Sequence, residues 1–213
     1  MATGSLTVAT MKDENRSAPP LTPERSASLP PVARVLPRPF GRGKQAATLI
    51  VLALAAKLVL LAMVGRPLGC DCGQIWAMPG EARLNSRTLL DPYSLLHLVF
   101  GAVLMKLVRW QRPDWPLWTL LAAAIVSSTV WEVVENLPVT IAMFGYSPND
   151  PLAYGGDSIL NSLGDTAAVA LGAVLALPLA PQVVAGLAVA VELAVSLWIG
   201  DGFAITLSRA LGL

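Results

Sequence analysis

Six ionisable side chains occur inside apolar stretches of this sequence, where a simple membrane anchor would have no use for them. Each one costs a few kcal/mol at the centre of a bilayer, so such groups usually mark a functional site. One imidazole with several carboxylates suits Zn²⁺, Mn²⁺ or Mg²⁺ better than copper or an iron–sulfur cluster. The residues are Lys57, His97, Glu132, Glu135, Asp165 and Glu192, with Asp157 at a predicted helix start.

Helical spacing places several of these groups on a common face. Asp157, Asn161 and Asp165 lie four residues apart and therefore share one face of a helix. Small residues continue that face, so a neighbouring helix can approach it closely. The small residues are Gly164, Ala168 and Gly172.

Two further predicted helices carry polar residues at the same depth. Glu132, Glu135 and Asn136 share a face of one helix, and Ser94 and His97 share a face of the other. At a rise of about 1.5 Å per residue, all of these groups fall within the outer ~12 Å of the membrane. One imidazole and up to four carboxylates could therefore converge on one pocket that opens to the outer side.

The convergence predicts a site with a possible divalent metal ion, and the residues divide by expected role. The expected catalytic residues are His97, Glu132 and Asp165. The expected metal ligands are His97, Glu132, Glu135, Asp157 and Asp165. The expected supporting polar residues are Ser94, Asn136, Asn161 and Lys57.

Several of these residues also have simpler explanations. Asp157 could serve only as a helix N-cap, and Glu135 could simply reach the outer interface. Asn161 could hold two helices together. Lys57 could extend its ammonium to the headgroups or could neutralise the acidic cluster. The spacing assigns no role to Glu192, which has no polar neighbour in sequence.

The composition indicates that membrane-crossing helices hold these residues. Of the 213 residues, 54% are hydrophobic and 14% are charged, whereas a soluble domain carries about 25% charge. The formal net charge of +1 gives no indication of a nucleic-acid partner. The chain is therefore predicted to be an all-α, polytopic transmembrane helix bundle of about five spans in the lipid bilayer: 46–64, 92–108, 116–137, 157–179 and 182–199.

The termini flank this transmembrane domain, which covers residues 46–200. Residues 1–45 are rich in Pro and Arg and too poor in apolar side chains to fold, so they predict a disordered cytoplasmic tail. Residues 201–213 form a short C-terminal tail. With the N-terminus in the cytoplasm, ten Lys or Arg residues lie inside and four outside. The positive-inside rule therefore favours a cytoplasmic N-terminus and a periplasmic C-terminus.

Four sequence motifs resemble one family. SLLHLVFG begins at Ser94, WEVVEN at Trp131 and YGGDSILNSLGD at Tyr154, and a CxCG element comprises Cys70, Cys72 and Gly73. Together they resemble a family of uncharacterised multi-pass inner-membrane proteins of Gram-negative bacteria, over about residues 46–180. The order of a His, two Glu, and an Asp and Asn at a helix start is also similar to VanZ-like membrane proteins. The resemblance implies a location and a residue pattern, and it implies no reaction.

Three functions fit the sequence. The first is a metal-dependent enzyme acting on a lipid or envelope precursor. The second is a transporter or proton-coupled permease that uses the carboxylates as a relay, and the third is a structural or assembly factor. No hydrolase, P-loop or dinucleotide motif favours a named reaction. The oligomeric state cannot be read from these motifs.

Cys70 and Cys72 lie in the first predicted outer joint. A bacterial periplasm would be oxidising, but a disulfide between residues two apart is strained. Two thiolates are too few for a structural zinc site. The two residues could pair with another chain, assist metal capture or stay free.

Overall fold

The computed structural model describes residues 43–78, 81–144 and 153–213. The predicted tail at residues 1–45 lies almost entirely outside these described residues. Apart from a 3-10 turn at Ala82–Leu84 and one isolated β-bridge between Trp76 and Leu90, the regular structure of the described part is α-helical. Its helices are α1 (Gly43–Met63), α2 (Pro92–Gln111), α3 (Leu117–Glu135), α4 (Pro138–Met143), α5 (Ile159–Leu175), α6 (Pro181–Ile199) and α7 (Phe203–Ala210).

Four of these helices are long and apolar enough to cross a membrane, namely α1, α2, α3 and α6. The sequence predicted α5 as a longer span over 157–179. In the structure α5 has 17 residues, fewer than the ~20 that a perpendicular crossing needs. The all-helical membrane bundle is confirmed, and four helices rather than about five meet the criterion of length.

The start of α2 is fixed by a capping box. The Asp91 carboxylate accepts hydrogen bonds from the backbone N–H groups of Tyr93 and Ser94, while the Ser94 hydroxyl accepts one from the Asp91 N–H. Pro92 occupies the first turn, where its missing N–H costs nothing. The same short sequence therefore starts the helix and holds Ser94 at the level of His97.

The sequence allows either Asp157 or Ser158 as the N-cap of α5, and the structure decides between them. Ser158 is the N-cap, and its hydroxyl accepts a hydrogen bond from the Asn161 N–H at 3.1 Å. The next two N–H groups, of Ile159 and Leu160, donate to carbonyls of the joint between α1 and α2. Because Ser158 satisfies the helix end, the Asp157 carboxylate is left available for other contacts.

The ends of the other helices follow from proline and glycine. The sequence placed the end of the third span at residue 137, and α3 ends at Glu135 before Pro138 opens the short α4. α6 ends at Gly200, whose φ of 74° is the left-handed conformation typical of a glycine C-cap. The predicted C-terminal tail contains the amphipathic helix α7.

The centre of the bundle is α5, which packs against α2 and α3, while α1 packs against α3 and α6 against α2. The contact between α2 and α5 is so close that it tolerates only glycine at two positions. A Cβ atom on Gly101 would collide with the backbone of Val169, and one on Gly172 would collide with the backbone of Leu98. The small-residue face predicted on α5 is thus confirmed as a close helix contact.

Candidate polar and metal-binding site

Three helices bring together the three residues that were predicted to be catalytic. His97 on α2 has its Nδ1 atom 3.6 Å from Glu132 Oε1 on α3. Its Nε2 atom lies 3.9 Å from Asp165 Oδ2 on α5. The exposed fractions of His97, Glu132 and Asp165 are 6%, 0% and 3%. The predicted convergence is therefore present in the fold, while the catalytic role remains a prediction.

The predicted metal ligands form two overlapping groups rather than one. Ligand atoms of His97, Glu132 and Asp165 all lie within 4.8 Å of one another. The same limit holds for Glu132, Glu135 and Asp157. Glu135 is 9% exposed and Asp157 is 4% exposed, so all five residues are buried and Glu132 belongs to both groups.

Hydrogen bonds from supporting residues orient the two aspartates. Asp165 Oδ1 accepts a 2.6 Å hydrogen bond from the Ser94 hydroxyl. Asp157 Oδ2 accepts hydrogen bonds from Asn136 Nδ2 and from the Tyr154 hydroxyl, both at 2.7 Å. The Asn136 side chain also accepts from the Asp157 backbone N–H at 2.8 Å. The predicted supporting roles of Ser94 and Asn136 therefore match contacts in the structure.

Some polar atoms at the centre of the site have no hydrogen-bond partner among the described residues. They are both carboxylate oxygens of Glu132, Nδ1 of His97 and Oδ1 of Asn161. A buried polar atom without a partner costs about 1–3 kcal/mol. Such groups need an explanation in a native fold, and a ligand such as an ion is one.

Lys57 and Asn161 both make their polar contacts inside the bundle. Lys57 is fully buried, and its ammonium donates 2.8 Å hydrogen bonds to the Ser162 carbonyl and the Thr166 hydroxyl on α5. The alternative that Lys57 extends to the headgroups is therefore wrong. Asn161 Nδ2 donates to Asp91 Oδ2 at 3.3 Å, which links α5 to the start of α2.

Sequence reasoning missed two ionisable groups beside the site, both outside the membrane-spanning helices. Burial, together with the charge of Asp165, raises the pKa of Asp91 to about 7, although backbone hydrogen bonds from Ser86 and Ser94 oppose the shift. Burial and the charge of Asp157 raise the pKa of Tyr154 well above its usual value. The Asp-Pro pair at the start of α2 was a sequence signal for the first group.

Glu192 lies outside the cluster and has a structural contact. Its Oε1 atom accepts a 2.8 Å hydrogen bond from the backbone N–H of Ala204 at the start of α7. Asp201, which is fully buried, accepts hydrogen bonds from Tyr93 and Arg209. These carboxylates therefore fasten α7 to α6 and α2.

A cavity of about 330 Å³ adjoins the site, at the lower end of the ~300–1,000 Å³ typical of small-molecule sites. Its polar lining includes members of both ligand groups, and its apolar lining comes from α2, α3 and α7. The polar residues include His97, Glu135, Asp157, Asn161 and Asp165, and the apolar ones include Leu96, Trp131, Phe203 and Leu207.

Cys70 and Cys72 are joined to each other by a disulfide. They therefore neither pair with another chain nor remain free in this structure. The disulfide lies in the joint between α1 and α2, and Cys72 is exposed on the protein surface. Neither residue belongs to the two ligand groups.

The fold and site define a helical membrane protein with a buried His and carboxylate cluster. Residues 61–209 match the family described as "Protein of unknown function (DUF2585)", and the chain belongs to that family. The predicted resemblance to an uncharacterised family of Gram-negative bacteria is confirmed.

Several relatives carry the name UPF0314 protein. The chain is 36% identical to that of Sphingopyxis alaskensis, over 70% of this chain and 80% of the relative. It is 35% identical to that of Brucella anthropi, over 72% of this chain and 79% of the relative. The protein of Novosphingobium aromaticivorans is 32% identical, over 74% of this chain and 73% of its own length. No solved structure matches the chain significantly.

Proposed function

We propose that this protein is a multi-pass inner-membrane enzyme whose buried His and carboxylate cluster binds a divalent metal ion. Its N-terminus lies in the cytoplasm, its C-terminus lies in the periplasm, and the cluster faces the periplasm. Its substrate is a lipid or envelope precursor. The excess of basic residues on the proposed cytoplasmic side supports this orientation.

The observation that carries the proposal is the group formed by His97, Glu132 and Asp165. Three different helices place ligand atoms of one imidazole and two carboxylates within 4.8 Å of one another. The His97 Nδ1 atom and both Glu132 oxygens lack hydrogen-bond partners in the described part of the chain. Imidazole and carboxylate ligands suit Zn²⁺ or Mn²⁺.

In this proposal the cluster binds the ion and the cavity holds the substrate. A bound divalent ion supplies Lewis acidity and lowers the pKa of a bound water. Ser94 orients Asp165, and Asn136 with Tyr154 orients Asp157, by direct hydrogen bonds. The apolar lining of the cavity suits the hydrocarbon part of a lipid, placed beside a polar group that could react.

The distribution of polar groups favours an enzyme over a transporter. The other end of the bundle is closed by an apolar cluster that includes Met105, Leu120 and Val169. A proton or ion relay needs polar groups along the whole path. In the described helices the ionisable cluster lies at one end only, which supports a site rather than a pathway.

The metal content of the purified protein tests the proposal. The full chain is purified in detergent after growth with added Zn²⁺ and Mn²⁺, and its metals are measured by elemental mass spectrometry. We expect bound metal in the wild type and at least a twofold loss in His97→Ala. Glu192→Gln is the matched control, because it changes a carboxylate outside the cluster, and it should retain the metal.

Two results would overturn the proposal. One is a wild-type protein without metal, and the other is equal metal in wild type and His97→Ala. If metal is present, the purified protein is incubated with a total lipid extract from a Gram-negative envelope. Products that form with wild type and not with His97→Ala would identify the reacting lipid class by mass spectrometry, while the absence of any such product would count against an enzyme.

A further inference from the structure

The division of the ligands into two groups that share Glu132 carries a second inference. We propose that the cluster binds two divalent ions bridged by the Glu132 carboxylate. One ion lies between His97, Glu132 and Asp165, and the other lies between Glu132, Glu135 and Asp157. This inference rests on the proposed metal binding and adds a second ion to it.

The geometry of each group is close to that of a metal site. Ligand atoms at about 2.0–2.2 Å from an ion lie within roughly 4.4 Å of one another. In both groups these atoms lie within 4.8 Å of one another, so the side chains must rotate toward a common point to complete either set. All five residues are at most 9% exposed, which keeps competing water ligands few.

Glu132 has what a bridging carboxylate needs. Both of its oxygens are buried and have no hydrogen-bond partner among the described residues. Oε1 is the atom near His97, which leaves Oε2 for the group of Glu135 and Asp157. A second ion would therefore give the oxygen that faces Glu135 and Asp157 a strong partner.

The balance of charge is compatible with a second ion. The cluster has an ammonium, Lys57, that is fully buried, and Arg66 lies half-buried at its edge, where it donates to the Asn136 carbonyl. With all five carboxylates ionised, one divalent ion leaves this set one unit below neutrality and two ions leave it one unit above, so the charge admits either number. The buried carboxylates are those of Asp91, Glu132, Glu135, Asp157 and Asp165.

The two ions would face the same space. Residues of both groups line the cavity, including His97 and Asp165 from one and Glu135 and Asp157 from the other. Tyr154 and Asn136 donate hydrogen bonds to Asp157 Oδ2, which fixes the orientation of this carboxylate at the cavity wall. Paired ions about 3.5–4 Å apart can hold the attacking and leaving oxygens of one displacement.

Counting Mn²⁺ ions on the detergent-purified full chain tests this inference. The protein is stripped with chelator, loaded with MnCl₂ and desalted, and its manganese is measured per chain. We expect two ions in wild type and in Glu192→Gln, one in His97→Ala, one in Glu135→Gln and none in Glu132→Gln. Electron paramagnetic resonance of the loaded wild type should show two exchange-coupled Mn²⁺ ions.

The outcomes separate the two proposals. One uncoupled ion per chain would overturn the second ion and leave the proposed metal site intact, whereas no ion would overturn both. Circular dichroism and gel filtration show which variants fold. If Glu132→Gln does not fold, the coupled or uncoupled spectrum of the wild type still decides the question.

Discussion

The helices α2, α3 and α5 have two ends of opposite character. At one end they place His97, Glu132 and Asp165 in mutual contact. At the other end the same helices bury an apolar cluster that includes Met105 and Val169. The two ends therefore share their backbones and differ in the side chains that those backbones carry.

The comparison separates stability from function. The apolar end contains side chains whose close packing stabilises the bundle. The polar end buries atoms without hydrogen-bond partners in the described residues, and each such atom lowers the stability of the metal-free fold. A cluster that costs stability and is nevertheless fully built is typical of a functional site.

The largest effect is expected at the contact that joins the two ends. Gly101→Ala should prevent normal assembly, because its Cβ would collide with the Val169 backbone, which cannot move without displacing α5. Gel filtration in detergent should show aggregated or unstable protein. Gly186→Ala on α6, which meets no atom within 4 Å, should behave as wild type. A monodisperse Gly101→Ala protein of wild-type thermal stability would contradict the close contact.

A smaller loss is expected within the apolar end. Met105→Ala should lower the free energy of unfolding by about 2–5 kcal/mol, because it leaves a cavity in a closely packed cluster. Met105 is 1% exposed, whereas Val103 on the same helix is 40% exposed. Val103→Ala is therefore the control and should change the thermal midpoint little. Equal losses of unfolding free energy in the two variants would show that packing at the apolar end does not stabilise the bundle.

The smallest effect, and one of opposite sign, is expected at the polar end. In chelator-treated protein, Glu132→Met should unfold at a temperature equal to or a few degrees above that of wild type, because an apolar side chain replaces two unpartnered carboxylate oxygens. Added Mn²⁺ should raise the unfolding temperature of wild type and leave the variant unchanged. A clear loss of stability in metal-free Glu132→Met would show that this carboxylate supports the fold itself.

The level of the site could be predicted from the sequence because it depends on local rules. The positions of His97, Glu132 and Asp165 relative to their helix ends follow from the hydrophobic pattern and the rise per residue. The small residues on α5 likewise predicted a close contact. The lack of space for a Cβ atom at Gly172 confirms it. Both inferences use only distances along one helix.

Other features depend on contacts between distant parts of the chain and were missed. The sequence offered both Asp157 and Ser158 as N-caps of α5, and the choice between them depends on the contacts of Asp157 with Asn136 and of Ser158 with the preceding joint. The position of α7 depends on Glu192, whose carboxylate accepts a hydrogen bond from a backbone N–H group at the start of α7. The division of five ligands around Glu132 is set by side-chain rotamers that spacing alone does not specify.

The backbone contact between α2 and α5 also bears on the order in which the protein is made. Of these two helices, α2 leaves the ribosome before α5, and the whole of α3 is synthesised between them. During that interval His97 can meet Glu132 on α3, but the part of α2 around Gly101 is uncovered and Asp165 is missing, since both contacts depend on α5. The nascent protein must therefore hold a polar half-site in the membrane or its insertion machinery until α5 arrives, and the cluster becomes complete only late in biosynthesis.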